Sequence, residues 1–275
     1  MTALLKPAEL LYRGINRLRR ALYRAGVLQR RRLSAPVISV GGIAAGGSGK
    51  TPATIAIASA LAGRGLHVAV LTRGYRRAGE GGAVESDDAA RYGDEPVLIH
   101  RRVPAARVIV GADRYDRARR EPADVFILDD GFQHLQLHRD LDVVIDHPGA
   151  GFLREGRGAL RHADVVVPRR LRLAVPPTLQ GKRVFAFAGL ADNAQFFRAL
   201  GLPLAGTRSF PDHHRYTADD LAAVRQAARE SGAEAIVTTE KDAVKIDDPE
   251  IVAVPAELII DDAVMERIVA AAVRR

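Results

Sequence analysis

The segment AAGGSGKT has the residue types that bind the phosphates of a nucleotide. Glycines let backbone N–H groups approach phosphate oxygens, the lysine reaches the β- and γ-phosphates, and the hydroxyl residue can ligate Mg²⁺. Ala44 stands where the usual pattern has its first glycine, and a structural glycine turn is the alternative interpretation. We predict a phosphate-binding loop made of Ala44, Ala45, Gly46, Gly47, Ser48, Gly49, Lys50 and Thr51.

Such a loop needs a strand before it and a helix after it, and the sequence predicts both. Residues 37–40 are an apolar, β-branched run of the kind found in buried strands. The run TPATIAIASALAGRG that follows is typical of a helix closed by glycine. The order of strand, glycine loop and helix therefore supports nucleotide binding.

A second group of polar residues follows the apolar run VFIL. Asp129 and Asp130 end this predicted strand, and a carboxylate at a strand end can hold Mg²⁺ directly or through water. The alternative is that the acids cap the next turn. His134, four residues further on, either orients the acids, contacts nucleotide or satisfies a turn.

Two other clusters carry groups that could transfer a proton. The string RYGDEP places Asp94 and Glu95 in a predicted turn, where they either act in catalysis or merely end the turn. The string FPDHHRY places Asp212 beside His213. Its neighbour His214 would point away from His213 in extended backbone, so we do not expect one metal ion to be held by both. One functional histidine with an orienting aspartate is the economical interpretation.

Two charged strings follow predicted strands, and each leaves two interpretations open. In RGYRR, Arg73 and Tyr75 could line a cleft for phosphate or sugar, or form a surface turn. In TEKDAVK, the charges could contact substrate or form an ion-paired turn that holds two lobes together.

Composition limits the class of protein. The 275 residues are 47% hydrophobic, which is enough for one large core or two modest ones. There is no cysteine, which excludes disulfides, thiolate metal sites and cysteine nucleophiles. There is no run of 18 apolar residues to span a bilayer and no uninterrupted apolar stretch typical of a signal peptide, so we do not expect export.

The N-terminal segment carries the net charge of the chain. Nine of the first 32 residues are basic and only Glu9 is acidic, which matches the formal charge of +8 for the whole sequence. The segment also has an apolar stripe at helical spacing, formed by Leu11, Ile15, Leu18, Leu22 and Ala25. An apolar stripe beside a cationic face favours a helix on an anionic membrane surface. A helix packed on its own domain and a nucleic-acid contact are the alternatives, although no recognisable nucleic-acid-binding module follows.

The remaining chain alternates short apolar runs with helix-length connections, which is typical of a mostly parallel sheet covered on both faces. A stretch rich in arginine and proline, residues 169–183, interrupts the alternation before it resumes. We therefore predict a basic amphipathic helix in residues 1–35, a phosphate-loop nucleotide-binding domain in residues 36–172, and a smaller C-terminal α/β domain in residues 173–275.

Taken together, the strings resemble those of the tetraacyldisaccharide 4′-kinases, the lipid A 4′-kinases of Gram-negative bacteria. The matching strings, in family order, are GGSGKTP, RGY, GDEP, DDGFQH, LRE with RHADVVV, FAGL, FPDHH and TEKDAVK. The basic N-terminal segment, residues 7–32, is also similar to the helix of that family.

The resemblance implies transfer of the γ-phosphoryl group of ATP to the 4′-hydroxyl of an acylated glucosamine disaccharide 1-phosphate. It implies that Asp94 is the base, that His213 assists it, and that Lys50 holds the phosphate in the transition state. Metal binding would fall to Thr51, Asp129 and Glu95.

The remaining roles follow from the same resemblance. Asp130 and His134 would contact the nucleotide, while Arg73, Tyr75 and Arg114 would contact substrate. The implied cofactors are ATP and Mg²⁺, and the implied location is the cytoplasmic face of the inner membrane, with no nucleic acid and no obligate protein partner. Two alternatives differ in class: a phosphate-loop kinase or ligase for a soluble metabolite, and a non-catalytic nucleotide switch.

Overall fold

A computed structural model describes residues 5–44, 46–74, 77–79, 81–148 and 152–273. The α-helices are α1 (Leu5–Arg24), α2 (Lys50–Ala62), α3 (Ala89–Tyr92), α4 (Asp94–Arg102), α5 (Arg114–Ala118), α6 (Asn193–Ala199), α7 (Ala218–Glu230), α8 (Glu240–Ala243) and α9 (Asp262–Val273). None of the helices in these ranges is long and apolar enough to cross a bilayer.

A seven-stranded sheet forms the first lobe, with strand order β3-β4-β2-β5-β1-β6-β7. Its strands are β1 (Val37–Gly42), β2 (Val68–Thr72), β3 (Gly82–Ala83), β4 (Arg107–Val110), β5 (Val125–Asp129), β6 (Leu141–Asp146) and β7 (Val165–Pro168). Every pairing is parallel except that of β3 with β4. The predicted mostly parallel sheet is confirmed, and its nucleotide edge is the one where β1, β2 and β5 end.

The apolar runs form strands because both faces of the sheet are covered. Ile38 and Val40 pack into a core with Ile57 of α2 and Ile268 of α9. Val37, one residue out of phase, packs into a separate core on the other face. Because successive side chains of a strand point to opposite faces, a strand buried on both sides needs a continuous apolar run rather than an alternating one.

A second, smaller sheet forms the other lobe. Its strand order is β10-β9-β11-β12, and all pairings are parallel. The strands are β9 (Val184–Ala188), β10 (Leu204–Ser209), β11 (Ala235–Thr239) and β12 (Ile251–Val254). The cap predicted for α7 is present as a full capping box between Thr217 and Asp220.

A two-stranded ribbon connects the lobes. Strand β8 (Leu171–Leu173) leaves the first lobe and pairs antiparallel with β13 (Ala256–Leu258), which returns from the second. After the ribbon, α9 packs on the first lobe, where Ile268 and Val269 join its core. The division at residues 172 and 173 stays a prediction, but the last helix packs with the first lobe and not with the second.

Helix α1 is shorter than predicted, and the face that it buries is polar. It ends at Arg24, whereas the predicted helix extended over residues 1–35. Its buried residues are polar, because Asn16 and Arg20 are only 3% and 8% exposed. The apolar stripe faces outward: Leu11 is 67%, Ile15 47% and Leu18 62% exposed.

Candidate active site

The glycine loop adopts a backbone that only glycine accepts easily. Gly46, Gly47 and Gly49 have φ values of 69°, 55° and 82°, in the left-handed region. Gly49 directly precedes α2, so the loop delivers its N–H groups to the start of that helix. Ala44 is buried and bridges Leu153, while Ala45 lies outside the described residues.

Gly41, just before the loop, allows a close approach of two segments. A Cβ atom there would lie 2.5 Å from Cβ of Phe132, a distance no real side chain could occupy. The segment after β5 can therefore pack directly against β1, which brings the acidic strand end beside the loop.

Lys50 and Thr51 occupy the first turn of α2. The Lys50 ammonium donates to Oγ of Ser48 at 2.9 Å and lies 3.6 Å from Oδ1 of Asp130. The loop and the end of β5 are thus in direct contact, as a shared phosphate and metal site requires.

Asp129 is buried at the end of β5, where the hydroxyls of Thr54 and Thr72 donate to its two carboxylate oxygens at 2.9 and 3.2 Å. Burial, together with the nearby charges of Glu95 and Asp130, raises its pKa to about 7. A cation placed beside Asp129 would favour its charged form.

Asp130 has a strained backbone, with φ of 50°. The Arg154 guanidinium donates to its Oδ2 at 2.7 Å, whereas the buried Oδ1 has no hydrogen-bond partner among the described residues. Burial would raise the pKa of Asp130, but the charges of Lys50 and Arg154 outweigh it and hold the pKa below its ordinary value. Asp130 is therefore a carboxylate with one oxygen free to accept.

These residues fit a triphosphate with Mg²⁺. A Cβ added to Gly47 would have no heavy atom within 4 Å, so the loop faces open space, and Lys50 lies beside it. Within the described ranges, no three His, Cys, Asp or Glu side chains are grouped to hold a metal ion alone. Mg²⁺ needs only one or two carboxylates, because it completes its shell with waters and phosphate oxygens.

Arg114 and His134 form a pair beside the acids. Arg114, at the start of α5, is buried and donates from Nη1 to Nδ1 of His134 at 2.9 Å. An arginine can only donate, so Nδ1 must be the unprotonated nitrogen of His134. Burial and the charges of Arg114 and Arg139 lower the pKa of His134 to about 3. His134 is a neutral histidine that orients an arginine and does not contact the acids directly.

The two residues predicted after β2 differ in what the structure describes. Arg73 follows Thr72 at the nucleotide edge and is exposed. Burial lowers the pKa of the Arg114 guanidinium, and the charge of Arg73 lowers it further. Tyr75 lies outside the described residues.

The structure brings Asp94 and His213 together from the two lobes. Asp94 begins α4 in the first lobe, and His213 follows β10 in the second with a left-handed φ of 60°. Nδ1 of His213 lies 3.0 Å from Oδ2 of Asp94. These residues are 119 positions apart in sequence, so only the packing of one lobe on the other creates the pair.

Two lysines of the TEKDAVK string surround this pair. Lys241 lies 3.3 Å from Nε2 of His213 and donates to Asp212 at 2.9 Å. Lys245 lies 3.4 Å from Asp94 and donates to Asp242 at 2.9 Å. Because an ammonium only donates, His213 accepts at Nε2 and carries its proton on Nδ1, which it donates to Asp94.

The charge environment keeps Asp94 ionised. Burial would raise its pKa, but the hydrogen bond from His213 and the charge of Lys245 outweigh burial, so the pKa of Asp94 lies below its usual value. Glu95, the next residue, acts on Asp129 through its charge, which links the Asp94 pair to the phosphate site.

Several residues of the site were not singled out from the sequence. Arg154, which binds Asp130, lies in the LRE string, and the neighbouring Glu155 binds Arg20 of α1 through two hydrogen bonds of 2.7 Å. The lysines of TEKDAVK were noted without an assigned partner. The LRE and TEKDAVK strings were the available signals, but neither shows which carboxylate its cation meets.

Comparisons with known proteins agree with this geometry. A sequence profile of the family described as tetraacyldisaccharide-1-P 4′-kinase (LpxK) matches residues 1–178 and 168–274. A protein of Anaeromyxobacter sp. (strain K) named tetraacyldisaccharide 4′-kinase is 43% identical, over 87% of this chain and 80% of the relative. One of that name from Pelobacter propionicus is 40% identical, over 90% of this chain and 83% of the relative.

A solved structure extends the similarity to the whole fold. The crystal structure of LpxK from Aquifex aeolicus in complex with ATP superposes with a TM-score of 0.77 at 30% identity and covers 98% of each chain. Profile, relatives and fold therefore agree along nearly the full length: this chain belongs to the tetraacyldisaccharide 4′-kinase family.

Proposed function

We propose that this protein transfers the γ-phosphoryl group of ATP to the 4′-hydroxyl of a tetraacyldisaccharide 1-phosphate, a step in lipid A synthesis. The observation that carries the proposal is the pair of Asp94 and His213, joined at 3.0 Å across the two lobes beside a phosphate-binding loop. The names of the relatives supply the acceptor.

The nucleotide half of the reaction falls to the loop and the acids of β5. The loop N–H groups from Gly46 to Thr51 and the Lys50 ammonium hold the phosphate chain. Thr51, Asp129 and Glu95 would hold Mg²⁺, which neutralises developing phosphate charge when bound. Arg154 restrains Asp130 so that its free Oδ1 faces Lys50.

The acceptor half falls to Asp94. Its second carboxylate oxygen accepts the hydroxyl proton while His213 holds the first oxygen in place. The lowered pKa of Asp94 makes it a weak base, so the proton moves late, after the bond from oxygen to phosphorus has begun to form. Arg114, oriented by His134, is a cation available to the transferring phosphoryl group, and Arg73 lies near it.

The reaction can be tested with γ-labelled ATP and tetraacyldisaccharide 1-phosphate in mixed micelles. We expect label in the lipid extract, and we expect Asp94→Ala to lower turnover by about 10²–10⁴-fold while ATP still binds. Asp87→Ala is the control, because Asp87 is an exposed aspartate paired with Arg101. Label confined to a soluble acceptor would identify a kinase or ligase for a soluble metabolite, and ATP binding without transfer would identify a nucleotide switch. Near-normal turnover of the Asp94 variant would exclude Asp94 as the base.

We also propose that α1 lies on the cytoplasmic face of the inner membrane. Polar residues, Asn16 and Arg20, attach α1 to the first lobe, which leaves Leu11, Ile15 and Leu18 exposed to the surroundings. A helix that packed on its own domain would bury that stripe. Exposed leucines beside a cationic face instead suit insertion among lipid headgroups, and each basic residue adds roughly 1 kcal/mol near an anionic surface.

The membrane proposal predicts the effect of a double substitution on the exposed stripe. Leu11→Ser/Leu18→Ser should weaken sedimentation with vesicles of phosphatidylglycerol and phosphatidylcholine by at least about tenfold, because two apolar side chains no longer enter the bilayer. Leu204→Ser/Ile259→Ser is a matched control at two exposed positions away from α1, 40% and 43% exposed. Equal losses in both variants would contradict a specific role for α1.

A further inference from the structure

A basic cavity lies where α1 meets the start of β6. It has a volume of about 210 Å³ and is lined by Arg20, Arg24, Arg30, Arg139, Asp142 and His162. Asp142 is the second residue of β6, whereas the nucleotide loop begins where β1 ends. The cavity therefore lies towards the start of β6, although Arg20 and Arg139 of its lining also donate to the carbonyls of Phe132 and His134 beyond β5.

The charges of the cavity do not balance. Arg20 is neutralised by Glu155 and Arg139 by Asp142, at 2.7 and 2.9 Å. No ion pair in the described part of the chain involves Arg24 or Arg30, and the Arg30 guanidinium lies over the ring of Tyr23. Asp142 is the one acid in the lining and is already paired, so the cavity has an excess of two positive charges.

A buried donor in the lining also lacks an acceptor. The Arg139 side chain is only 5% exposed, and its Nε has no hydrogen-bond partner among the described residues. Oδ1 of Asp142, the acid paired with Arg139, is likewise buried without a partner among the described residues, so the excess positive charge of the lining is what favours an anion. An anion with several oxygens fits this requirement better than a cation or a neutral group.

In the chain that follows α1, Leu28 lies beside the cavity. Val27 is 67% exposed and Leu28 is 37% exposed. An open recess of about 500 Å³, lined by Leu28 and Tyr23, shares Arg24 and Arg30 with the arginine cavity. The same surface thus offers arginines for an anion and apolar contacts for a chain attached to it.

We propose that this arginine cavity binds the phosphate of an anionic phospholipid headgroup, with the acyl chains against Leu28 and Tyr23 of the adjoining recess. The inference rests on the proposed membrane association of α1 and adds a specific lipid site to it. It is distinct from the acceptor site, because none of the residues that line the cavity belongs to the phosphate loop or to the Asp94 pair. Binding of a headgroup in the cavity would fix the orientation of the protein on the membrane surface, whereas nonspecific electrostatic attraction would not.

The test uses a soluble lipid so that no charged surface is present. Dihexanoyl phosphatidylglycerol, kept below its micelle concentration, is titrated into the full chain by calorimetry. We expect saturable binding that Arg24→Gln/Arg30→Gln weakens by at least about tenfold, since two charged donors are lost. The matched control Arg17→Gln/Arg32→Gln removes the same charge from the same segment outside the cavity and should stay within about twofold of the original protein.

Three outcomes would overturn the proposal. The first is no saturable binding of the monomeric lipid, and the second is an equal loss of affinity in both double variants. The third is binding of inorganic phosphate as tight as that of the lipid, which would assign the cavity to a free anion. Vesicle sedimentation and the labelled-ATP assay, run on the same variants, distinguish loss of the lipid site from loss of membrane binding and from loss of kinase activity. Loss of the headgroup site alone leaves transfer to the acceptor in micelles intact, whereas failure of the proposed kinase function abolishes label in lipid with every variant.

Discussion

At the scale of residues, the environment of each ionisable group decides its role. His134 illustrates this, because the sequence left open whether it orients acids, contacts nucleotide or completes a turn. The structure makes it a neutral acceptor for Arg114, since burial and two neighbouring arginines disfavour its protonated form. The arginine, not the histidine, therefore carries the positive charge of this pair.

This neutral histidine predicts a pH dependence of stability. The folded-state pKa of about 3 lies below the ordinary value of 6.5, so between these values the unfolded chain binds a proton that the folded protein does not. Stability is therefore complete above pH 6.5 and falls as the pH drops towards 3.

We expect the difference in unfolding free energy between the original protein and His134→Gln to change by about 1–2 kcal/mol between pH 7 and pH 4.5, after allowing for partial exposure. Urea unfolding at the two pH values measures it. His67→Gln replaces a histidine that is 86% exposed and serves as the control. Parallel pH curves for the original protein and His134→Gln would show that His134 is protonated in the folded state.

At the scale of elements, α1 is held by a polar chain of contacts that reaches the nucleotide loop. Arg20 binds Glu155, Gln133 donates to the same carboxylate at 2.9 Å, and Gln133 also donates to the carbonyl of Gly42 at 3.0 Å. Asn16 donates to the carbonyl of Arg154, whose guanidinium binds Asp130. A deletion of residues 1–32 would therefore disturb the site as well as the membrane contact, and single substitutions are the cleaner test.

Arg20→Ala should destabilise the protein by about 3–5 kcal/mol, because it leaves the buried Glu155 carboxylate without its cation. Adding Glu155→Gln removes the uncompensated charge and should recover much of the loss in thermal unfolding. ATP affinity should fall in the single variant, since Gln133 loses a fixed partner beside Gly42. Arg17→Ala, on the exposed side of the same helix, is the control. Loss of stability by equal amounts in both arginine variants would argue that helix propensity, and not the ion pair, holds α1.

At the scale of the whole molecule, the lobes meet through charged side chains. Asp94 meets His213 and Lys245, while Arg102 of α4 binds Glu240 of α8 at 2.8 Å. The two interpretations of TEKDAVK were a contact with substrate and an ion-paired turn between lobes. The contacts of Glu240 and Lys245 support the ion-paired turn, and Lys245 also lies beside Asp94, the proposed base.

Lys245→Met should shift the acidic limb of the kcat/KM profile to higher pH. The charge of Lys245 helps to keep the pKa of Asp94 low, so its removal favours the protonated form, which cannot accept the hydroxyl proton. The loss of activity at the acidic end of the profile should therefore exceed the loss at pH 8. Lys182→Met is the control. A uniform loss at all pH values would mean that Lys245 only holds the lobes together.

Local patterns were enough to predict much of this fold. The strand, loop and helix around Lys50, the β-branched runs of the sheet and the cap at Thr217 all depend on residues close in sequence. Such elements are predictable because strand burial, glycine conformation and helix capping act over a few residues. The length of α1 was overestimated, because basic residues continue to Arg32 while the helix ends at Arg24.

What the sequence by itself determined was the phosphate loop, the α/β class and the family to which its strings are similar. Only the tertiary structure decided which charges meet: Asp94 with His213, Asp130 with Arg154, and Arg20 with Glu155. It also decided that α1 turns its leucines outward, since an amphipathic pattern is the same whichever face is buried. The reason is physical: Coulomb and hydrogen-bond partners are selected by distance in space, and no spacing along the chain encodes how two lobes close on each other.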